Sequence, residues 1–496
     1  MKKELKLYCN SNTKTMKFKY ILILAILVSV YTSCKKDLGN YTYHPVAEPV
    51  IAGINDSTFS ALIGDSLIIK PEITFQGADP VKDLDFEWRI VILEETREAV
   101  YTGYPLKLLY NLGVGERAST LIVTDKRNGL KYKYKFKVSG TTQFSKGTLV
   151  LSAQSGVAKL SFIKPDDVTI LADVYQSLNG KSLPSNPIQL YYSKPLPYQV
   201  LTKEEYWILC NDPANPSVVA DANTFLRKTD FAAQFFLPPP SIVPGYLEPF
   251  LGPFQMGTVP TGVINSKLYV GTQSTAPFAP DYGKFGNEQN GDYSLSKFFT
   301  HGSNFFFGFD TKAKAFIVFA GDGTYLGPKY LVPTVSPAFD PKNVGMSNLI
   351  FMKTSESGGN YAFFQESDGV VYELAFNYTM NSNDKEFEPV YKRVFAGSAL
   401  INAESKWVKN NLNVFYFSSN DKIYRYNPIN QDIRQLDAAL AGKKVSMLRI
   451  SDDDNSLTVG VDGAILTLDI SVGKNGNITK TINGIPGAPV DIIFRK

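Results

Sequence analysis

The sequence predicts an all-β protein with two parts, a small β-sandwich near the N-terminus followed by a β-propeller-like domain of about seven blades. In the first third, short segments alternate apolar and polar residues, as strands with one buried face do. In the rest, apolar segments joined by tight polar turns recur at intervals of roughly 40 to 60 residues, the size of a propeller blade. No long stretch has the hydrophobic period of a helix.

The N-terminus has the organisation of an export signal. A short cationic segment that begins at Met16 precedes the apolar run Ile21–Tyr31. This run has the length of a signal-peptide core and is short for a membrane-spanning helix. It leads through Thr-Ser into Cys34, an arrangement similar to a lipobox, although Tyr31 stands where an aliphatic residue is usual. We therefore expect residues 1–33 to be a signal peptide and Cys34 to be acylated, with a membrane-anchor helix as the alternative.

Residues 34–45 are expected to form a lipidated tether. The segment after Cys34 is polar and Lys-rich with one Asp, similar to the surface-export signals of Bacteroidetes-type lipoproteins. Stable anchoring needs more than one acyl chain, and bacterial lipoproteins as a family carry several. The expected location is the outer membrane, lipid-anchored at the cell surface, with the periplasmic face as the alternative.

The apparent basicity of the chain belongs to its signal. The sequence has 51 Lys and Arg against 47 Asp and Glu, and residues 1–33 hold six Lys and one Glu. The remaining 45 basic and 46 acidic residues are nearly balanced, so we expect no nucleic-acid partner. After processing and acylation, Cys210 is the one free cysteine left, and the only histidines are His44 and His301. We expect no disulfide, no metal site and no cofactor.

Residues 46–140 predict an immunoglobulin-like sandwich without the cysteine pair of antibody domains. Phe86–Ile90 alternates apolar and polar residues. In Tyr132–Val138, aromatic residues and Val occupy one face of the predicted strand and Lys the other, so one face should pack on a core and the other should meet water. Turn signals separate the strands at Gly64, Gly103, Gly113, Gly115 and Asn128-Gly129.

These residues also carry a family resemblance. The carriers are Cys34, Gly39–Tyr43, Gly64-Asp65 before a strand, Trp88 on a central strand, and Leu121–Asp125 leading by Gly129-Leu130 into a Tyr-rich last strand. Together they resemble the PKD-like lipoproteins of Bacteroidetes-type bacteria. Members of that group are commonly found beside outer-membrane systems that capture glycans or peptides. The resemblance therefore implies a surface binding or accessory role and no known reaction.

Residues 145–496 contain the recurring hairpins that predict the propeller. Clear copies lie at 149–162, 316–326, 361–374, 414–426 and 457–468, with weaker ones at 206–209 and 267–270. Asp-Gly between alternating hydrophobic residues is a strong hairpin signal. Stacked sandwiches also contain regular hairpins and are the alternative. The proline-rich segment 228–262 is expected to be a long irregular insertion.

Candidate ligand-binding residues come from the aromatic content, which is 13% of the chain. Rigid aromatic faces pack on sugar C–H groups. Phe305, Phe306 and Phe307 cannot all face one core in a strand, so at least one should be exposed or covered by a loop, and Trp407 follows a polar stretch. Trp407 and Phe306 are therefore the candidates, while His301 is expected to be a loop residue.

We expect a membrane-anchored surface lipoprotein with a non-catalytic binding or scaffolding role, accessory to outer-membrane glycan or peptide uptake. Its expected partners are the membrane, a glycan or peptide ligand and components of an outer-membrane transporter. No catalytic residue can be selected, because the many Asp and Glu lie in turns, where Asp caps its own backbone. Asp452–Asp454 lacks the ligand spacing of a calcium loop. The alternative is a glycosidase-like propeller hydrolase with unidentified carboxylates.

Overall fold

The computed structural model describes residues 47–193, 204–251, 257–275, 281–354, 359–381 and 384–495. Cys34, the predicted signal peptide and the predicted tether lie outside the described residues. No helix in the described ranges is long and apolar enough to cross a membrane. The chain divides into two compact units, residues 1–53 with 71–84 and residues 54–70 with 85–496.

In the part of the chain that the structure describes, nine strands precede the propeller. They are β1 (Val50–Ala52), β2 (Thr58–Leu62), β3 (Ser66–Ile69), β4 (Glu72–Thr74), β5 (Leu84–Ile92), β6 (Arg97–Thr102), β7 (Leu106–Leu109), β8 (Gly115–Asp125) and β9 (Lys131–Thr141). In the first unit, β1 pairs with β4. The second unit holds the pair β3–β7 and a sheet in the order β2-β9-β8-β5-β6, with β2 parallel to β9.

The alternation predicted for the last of these strands is confirmed. In β9 the lysines are exposed while Phe136 and Val138 are buried. Trp88 on β5 is completely buried, packs edge-on against Phe136 with 5.8 Å between ring centroids, and donates a 2.8 Å hydrogen bond from Nε1 to the carbonyl oxygen of Gly103. A buried indole with a satisfied N–H is a stable core element.

The rest of the chain forms seven antiparallel sheets, which confirms the predicted seven-bladed propeller. Blade 1 contains β10 (Gly147–Gln154), β11 (Val157–Ile163) and β12 (Ile170–Leu171), and blade 2 contains β13 (Pro187–Ser193), β14 (Glu205–Cys210), β15 (Val218–Asp221) and β16 (Arg227–Asp230). Blade 3 contains β17 (Pro244–Leu251), β18 (Thr258–Ile264) and β19 (Lys267–Val270). Blade 4 contains β20 (Leu295–Gly302), β21 (Phe305–Asp310), β22 (Ala315–Ala320) and β23 (Tyr325–Gly327). The helix α1 (Val174–Asn179) connects blades 1 and 2.

Blades 5 to 7 continue the same meander. Blade 5 contains β24 (Leu349–Lys353), β25 (Asn360–Gln365), β26 (Val371–Met380) and β27 (Lys385–Val394). Blade 6 contains β28 (Trp407–Lys409), β29 (Phe415–Ser419), β30 (Lys422–Asn427) and β31 (Asp432–Gln435). Blade 7 contains β32 (Val445–Ile450), β33 (Ser456–Val461), β34 (Ala464–Asp469) and β35 (Asn477–Asn483). The last strand, β36 (Ala488–Arg495), pairs with β10 and becomes the innermost strand of blade 1. The two ends of the propeller chain therefore share one blade, which closes the ring.

The hydrophobic core lies between blades, because each sheet packs a neighbour on both faces. Seven clusters of buried side chains each join two consecutive blades. On β21, Phe305 and Phe307 face blade 5, while Phe306 faces blade 3. All three are buried against neighbouring blades, so the expectation that at least one of them would be exposed or covered by a loop is wrong. The expectation assumed one core, whereas a propeller strand lies between two.

The proline-rich segment 228–262 is not an irregular insertion. It contains β17 and most of β18, which form blade 3. Pro249 on β17 lies directly opposite Pro260 on β18. Proline lacks the N–H that a sheet needs, but two facing prolines leave no donor unpaired between them. Of the prolines that suggested a loop, Pro244 begins β17, whereas Pro238, Pro239 and Pro240 lie before it and outside the strands.

Candidate functional site

The innermost strands of the seven blades surround a central channel. These strands are β36, β13, β17, β20, β24, β28 and β32, and each is hydrogen-bonded within its sheet on one side only. Contacts join β36 to β13, β13 to β17, β17 to β20, β20 to β24, β28 to β32 and β32 to β36. In blades 2 to 7 the chain enters at the innermost strand, and in blade 1 β36 takes that place antiparallel to β10, so these seven strands run in the same direction along the channel.

Side chains connect the channel strands of blades 7, 1, 2 and 3, which we call the hydrogen-bonded sector. Asp491 on β36 accepts a 2.9 Å hydrogen bond from the Leu190 backbone N–H on β13, and its other oxygen lies 3.7 Å from Arg449 Nη1 on β32. Gln189 on β13 both donates to the Leu247 carbonyl on β17 (2.7 Å) and accepts from the Leu247 N–H (2.8 Å). These bonds satisfy strand edges that would otherwise lack partners.

A carboxyl–imidazole pair connects blades 3 and 4. Oε1 of Glu248 on β17 lies 3.3 Å from Nε2 of His301 on β20. Burial raises the pKa of Glu248 to about 7, and the positive charge of Lys353 opposes this shift. The His301 ring packs against Phe250 at 5.0 Å and Phe306 at 5.8 Å between centroids. His301 lies in a strand, so its expected place in a loop is wrong.

Four lysines come from the channel strands of blades 4, 5 and 6 or from the residue just before one, and we call them the lysine sector. They are Lys297, Lys353, Lys406 and Lys409. The positive charge of Lys353 lowers the pKa of Glu248, and that of Lys406 lowers the pKa of Lys297, although the two residues of each pair are two blades apart. These electrostatic interactions therefore cross the channel. Burial and the charge of Lys353 lower the pKa of Lys409 to about 8, while Asp454 opposes the shift.

The channel admits water although protein surrounds it. Tyr246 at the start of β17 is 46% exposed, yet desolvation raises its pKa to about 12. Lys297 is also exposed, and desolvation lowers its pKa. Exposure together with a pKa shifted by desolvation indicates that these side chains contact water inside a confined space and are not surrounded by bulk solvent. In such a site the interaction between charges is stronger than at an open surface.

The two aromatic candidates from the sequence lie between blades and not in the channel wall. Phe306 is buried and packs on Phe250 at 4.6 Å. Trp407 on β28 is half-buried and stacks on Phe351 of blade 5 and Phe417 of its own blade, at 5.7 and 4.9 Å. The exposure on which their predicted ligand contact rested is absent for Phe306 and limited for Trp407. Within the described ranges, no group of three or more His, Cys, Asp or Glu could hold a metal ion.

The residues of the channel were missed because no local pattern marks them. Glu248 and Lys353 are far apart in sequence and meet only because both lie on innermost strands. One signal was present: in blades 2 to 7 the innermost strand is the first of its blade, so charged residues in the first strand of each repeat were candidates. Every innermost strand except β28 also has a register shift near its start, and such bulges redirect side chains.

Comparison with protein families gives one match, to the PKD-like family. The match covers residues 34–187, which include the N-terminal sheets, β10 to β12 of blade 1 and α1. The region resembles that family as the sequence predicted. No curated protein matches the chain.

Similar solved structures are weakly related. A quinonprotein alcohol dehydrogenase-like protein from Bacteroides thetaiotaomicron is 16% identical with a TM-score of 0.41, covering 90% of this chain and 99% of its own. The dihydro-heme d1 dehydrogenase NirN is 10% identical with a TM-score of 0.38, and the match covers 84% of this chain and 76% of its own. A putative 6-phosphogluconolactonase from Bacteroides fragilis is 10% identical with a TM-score of 0.32, and the match covers 84% of this chain and 99% of its own. Similarity at this level says nothing about activity.

Proposed function

We propose that this chain is a lipid-anchored surface protein that binds a glycan or peptide ligand in its propeller channel and supports outer-membrane uptake without catalysing a reaction. The observation that carries the binding role is the convergence of charged side chains from several blades in a confined, water-accessible channel. Ligand sites are typically concave and have a few converging polar groups. The match to the PKD-like family begins at residue 34, the cysteine expected to be acylated, which supports the anchored part of the proposal.

The binding role is tested with the soluble chain from residue 36 onward. It is screened against arrays of glycans and peptides, and bound ligands are incubated with the protein to look for products. We expect saturable binding and unchanged ligand. An absence of binding across both arrays would contradict the proposal.

A hydrolase is the second candidate, and Glu248 is the observation that favours it. A carboxyl group that keeps its proton to about pH 7 beside an imidazole has the properties of a general acid. Turnover in the screen that Glu248→Gln abolishes, with ligand binding retained, would establish this candidate in place of the first.

The anchor predicts a strong effect of one substitution. In cells that express the full chain, Cys34→Ser should move the protein from the membrane to the soluble fraction and stop incorporation of labelled palmitate, because the thiol that carries the acyl chain is lost. Cys210→Ser is the matched control: Cys210 is buried, burial raises its thiol pKa to about 12, and the variant should stay in the membrane. If Cys34→Ser still fractionates with membranes, the lipid anchor is wrong. Protease treatment of intact cells distinguishes the surface from the periplasmic face.

A further inference from the structure

The charges of the channel are unevenly satisfied. In the hydrogen-bonded sector, Asp491 and Arg449 lie close to each other, and Asp491 and Gln189 each bond the backbone of the next blade. In the lysine sector, none of the four ammonium groups forms an ion pair or hydrogen bond with any residue that the structure describes. The two sectors occupy opposite parts of the ring, since they come from blades 7 to 3 and blades 4 to 6.

The lysine pair at one end of the channel is confined. Lys353 is the last residue of β24 and Lys409 is the last residue of β28, so both lie where the channel strands end. They come from adjacent blades and repel each other. The nearest negative charges that act on them are Glu248 and Asp454. Lys409 is partly desolvated, so the repulsion from Lys353 is unfavourable for the free protein and favours an anion that binds between the two ammonium groups.

We propose that the lysine sector binds the carboxylate of an acidic ligand, with Lys353 and Lys409 as its contacts. This deepens the proposed function and rests on it. Glu248 keeps its proton to about pH 7 and Asp491 lies 3.7 Å from Arg449, so that side of the channel offers no unpaired positive charge to a second carboxylate. A single carboxylate that also carries hydroxyl or amide donors satisfies both sides of the channel. Acidic sugars and acidic peptides share this chemistry.

Four probes distinguish the two sources and test the charge. Galacturonic acid, which has one carboxylate, is compared with its methyl ester, and a peptide with a single Glu is compared with the same peptide with Gln in place of Glu. Binding to the soluble chain from residue 36 is measured by calorimetry at fixed ionic strength. We expect one acidic probe to bind at least about tenfold more tightly than its neutral partner, the effect of losing one charged hydrogen bond in a confined site.

Substitutions then assign the binding to the lysine sector. Lys353→Gln and Lys409→Gln should each weaken binding of the acidic probe by about tenfold or more and leave binding of the neutral partner unchanged. The matched controls are Lys312→Gln for each single substitution and Lys312→Gln with Lys444→Gln for the two together, which remove the same number of positive charges from exposed positions that pair with Asp292 and Glu404. They should bind as the parent chain does, and thermal unfolding checks that all variants are folded.

Each outcome decides the inference. Preference for galacturonic acid or for the Glu peptide supports it and identifies the source of the carboxylate. Equal binding of acidic and neutral probes, or unchanged binding after both channel substitutions, overturns the carboxylate site while leaving the proposed binding role intact. No binding to either acidic probe also overturns it, and the role in binding is then judged by the array screen alone.

Discussion

Arg393→Met is expected to lower the free energy of unfolding by about 3 to 5 kcal/mol, because it leaves a buried carboxylate without its counter-charge. Glu373 on β26 is 0% exposed. Its carboxylate accepts a hydrogen bond from Arg393 Nη2 to Oε1 (2.9 Å) and one from the Tyr391 hydroxyl (2.6 Å), both on β27. It also accepts one from the Tyr426 hydroxyl on β30 of the next blade. Arg393 also donates to the carbonyl of Pro428 (2.6 Å). The network therefore joins blades 5 and 6.

The loss is measured by urea unfolding of the soluble chain. Adding Glu373→Gln to Arg393→Met should recover part of the loss, since it removes the uncompensated charge. Arg434→Met is the control, because Arg434 on β31 pairs with Asp432 at an exposed position and should change stability by less than about 0.5 kcal/mol. A loss below about 1 kcal/mol in Arg393→Met would falsify the buried-charge explanation.

Deleting residues 488–496 is expected to abolish cooperative folding of the propeller. These residues include β36, which supplies the innermost strand of blade 1 and pairs with β10 along its length. Without them β10 becomes an open edge, and the cluster that joins blades 7 and 1 loses Ile492. The lost pairing and packing approach the whole stability of a typical domain, about 5 to 15 kcal/mol. Thermal unfolding and hydrogen exchange check this, and strong protection of blades 1 and 7 in the truncated chain would contradict it.

Two substitutions on β36 test how much of this stability comes from side-chain packing, because both leave the pairing of β36 with β10 in place. Ile492→Ala should cost about 2 to 5 kcal/mol, because Ile492 is 1% exposed. Phe494→Ala on the same strand should cost much less, since Phe494 is 48% exposed. Equal effects of the two substitutions would mean that the contact between blades 7 and 1 contributes little to closure.

The repeating hairpins could be predicted because their signals are local. The turn Asp462-Gly463 between β33 and β34 and the turn Asn420-Asp421 between β29 and β30 occur where the sequence indicated. In the N-terminal region, the alternation of Lys with aromatic residues predicted which face of β9 is buried. Turn chemistry and strand periodicity depend on neighbours in the chain, so no tertiary information is needed to recognise them.

By itself, the sequence determined the class of fold, the approximate number of blades and, as a prediction, the acylated Cys34. Only the tertiary structure decided what the side chains on those strands meet. It placed Phe306 between two blades, because both faces of a propeller sheet are buried. It brought Glu248, His301, Lys353 and Lys409 to one channel, although more than 150 residues separate the first from the last. The side-by-side packing of consecutive blades creates that proximity, and no local pattern in the sequence encodes it.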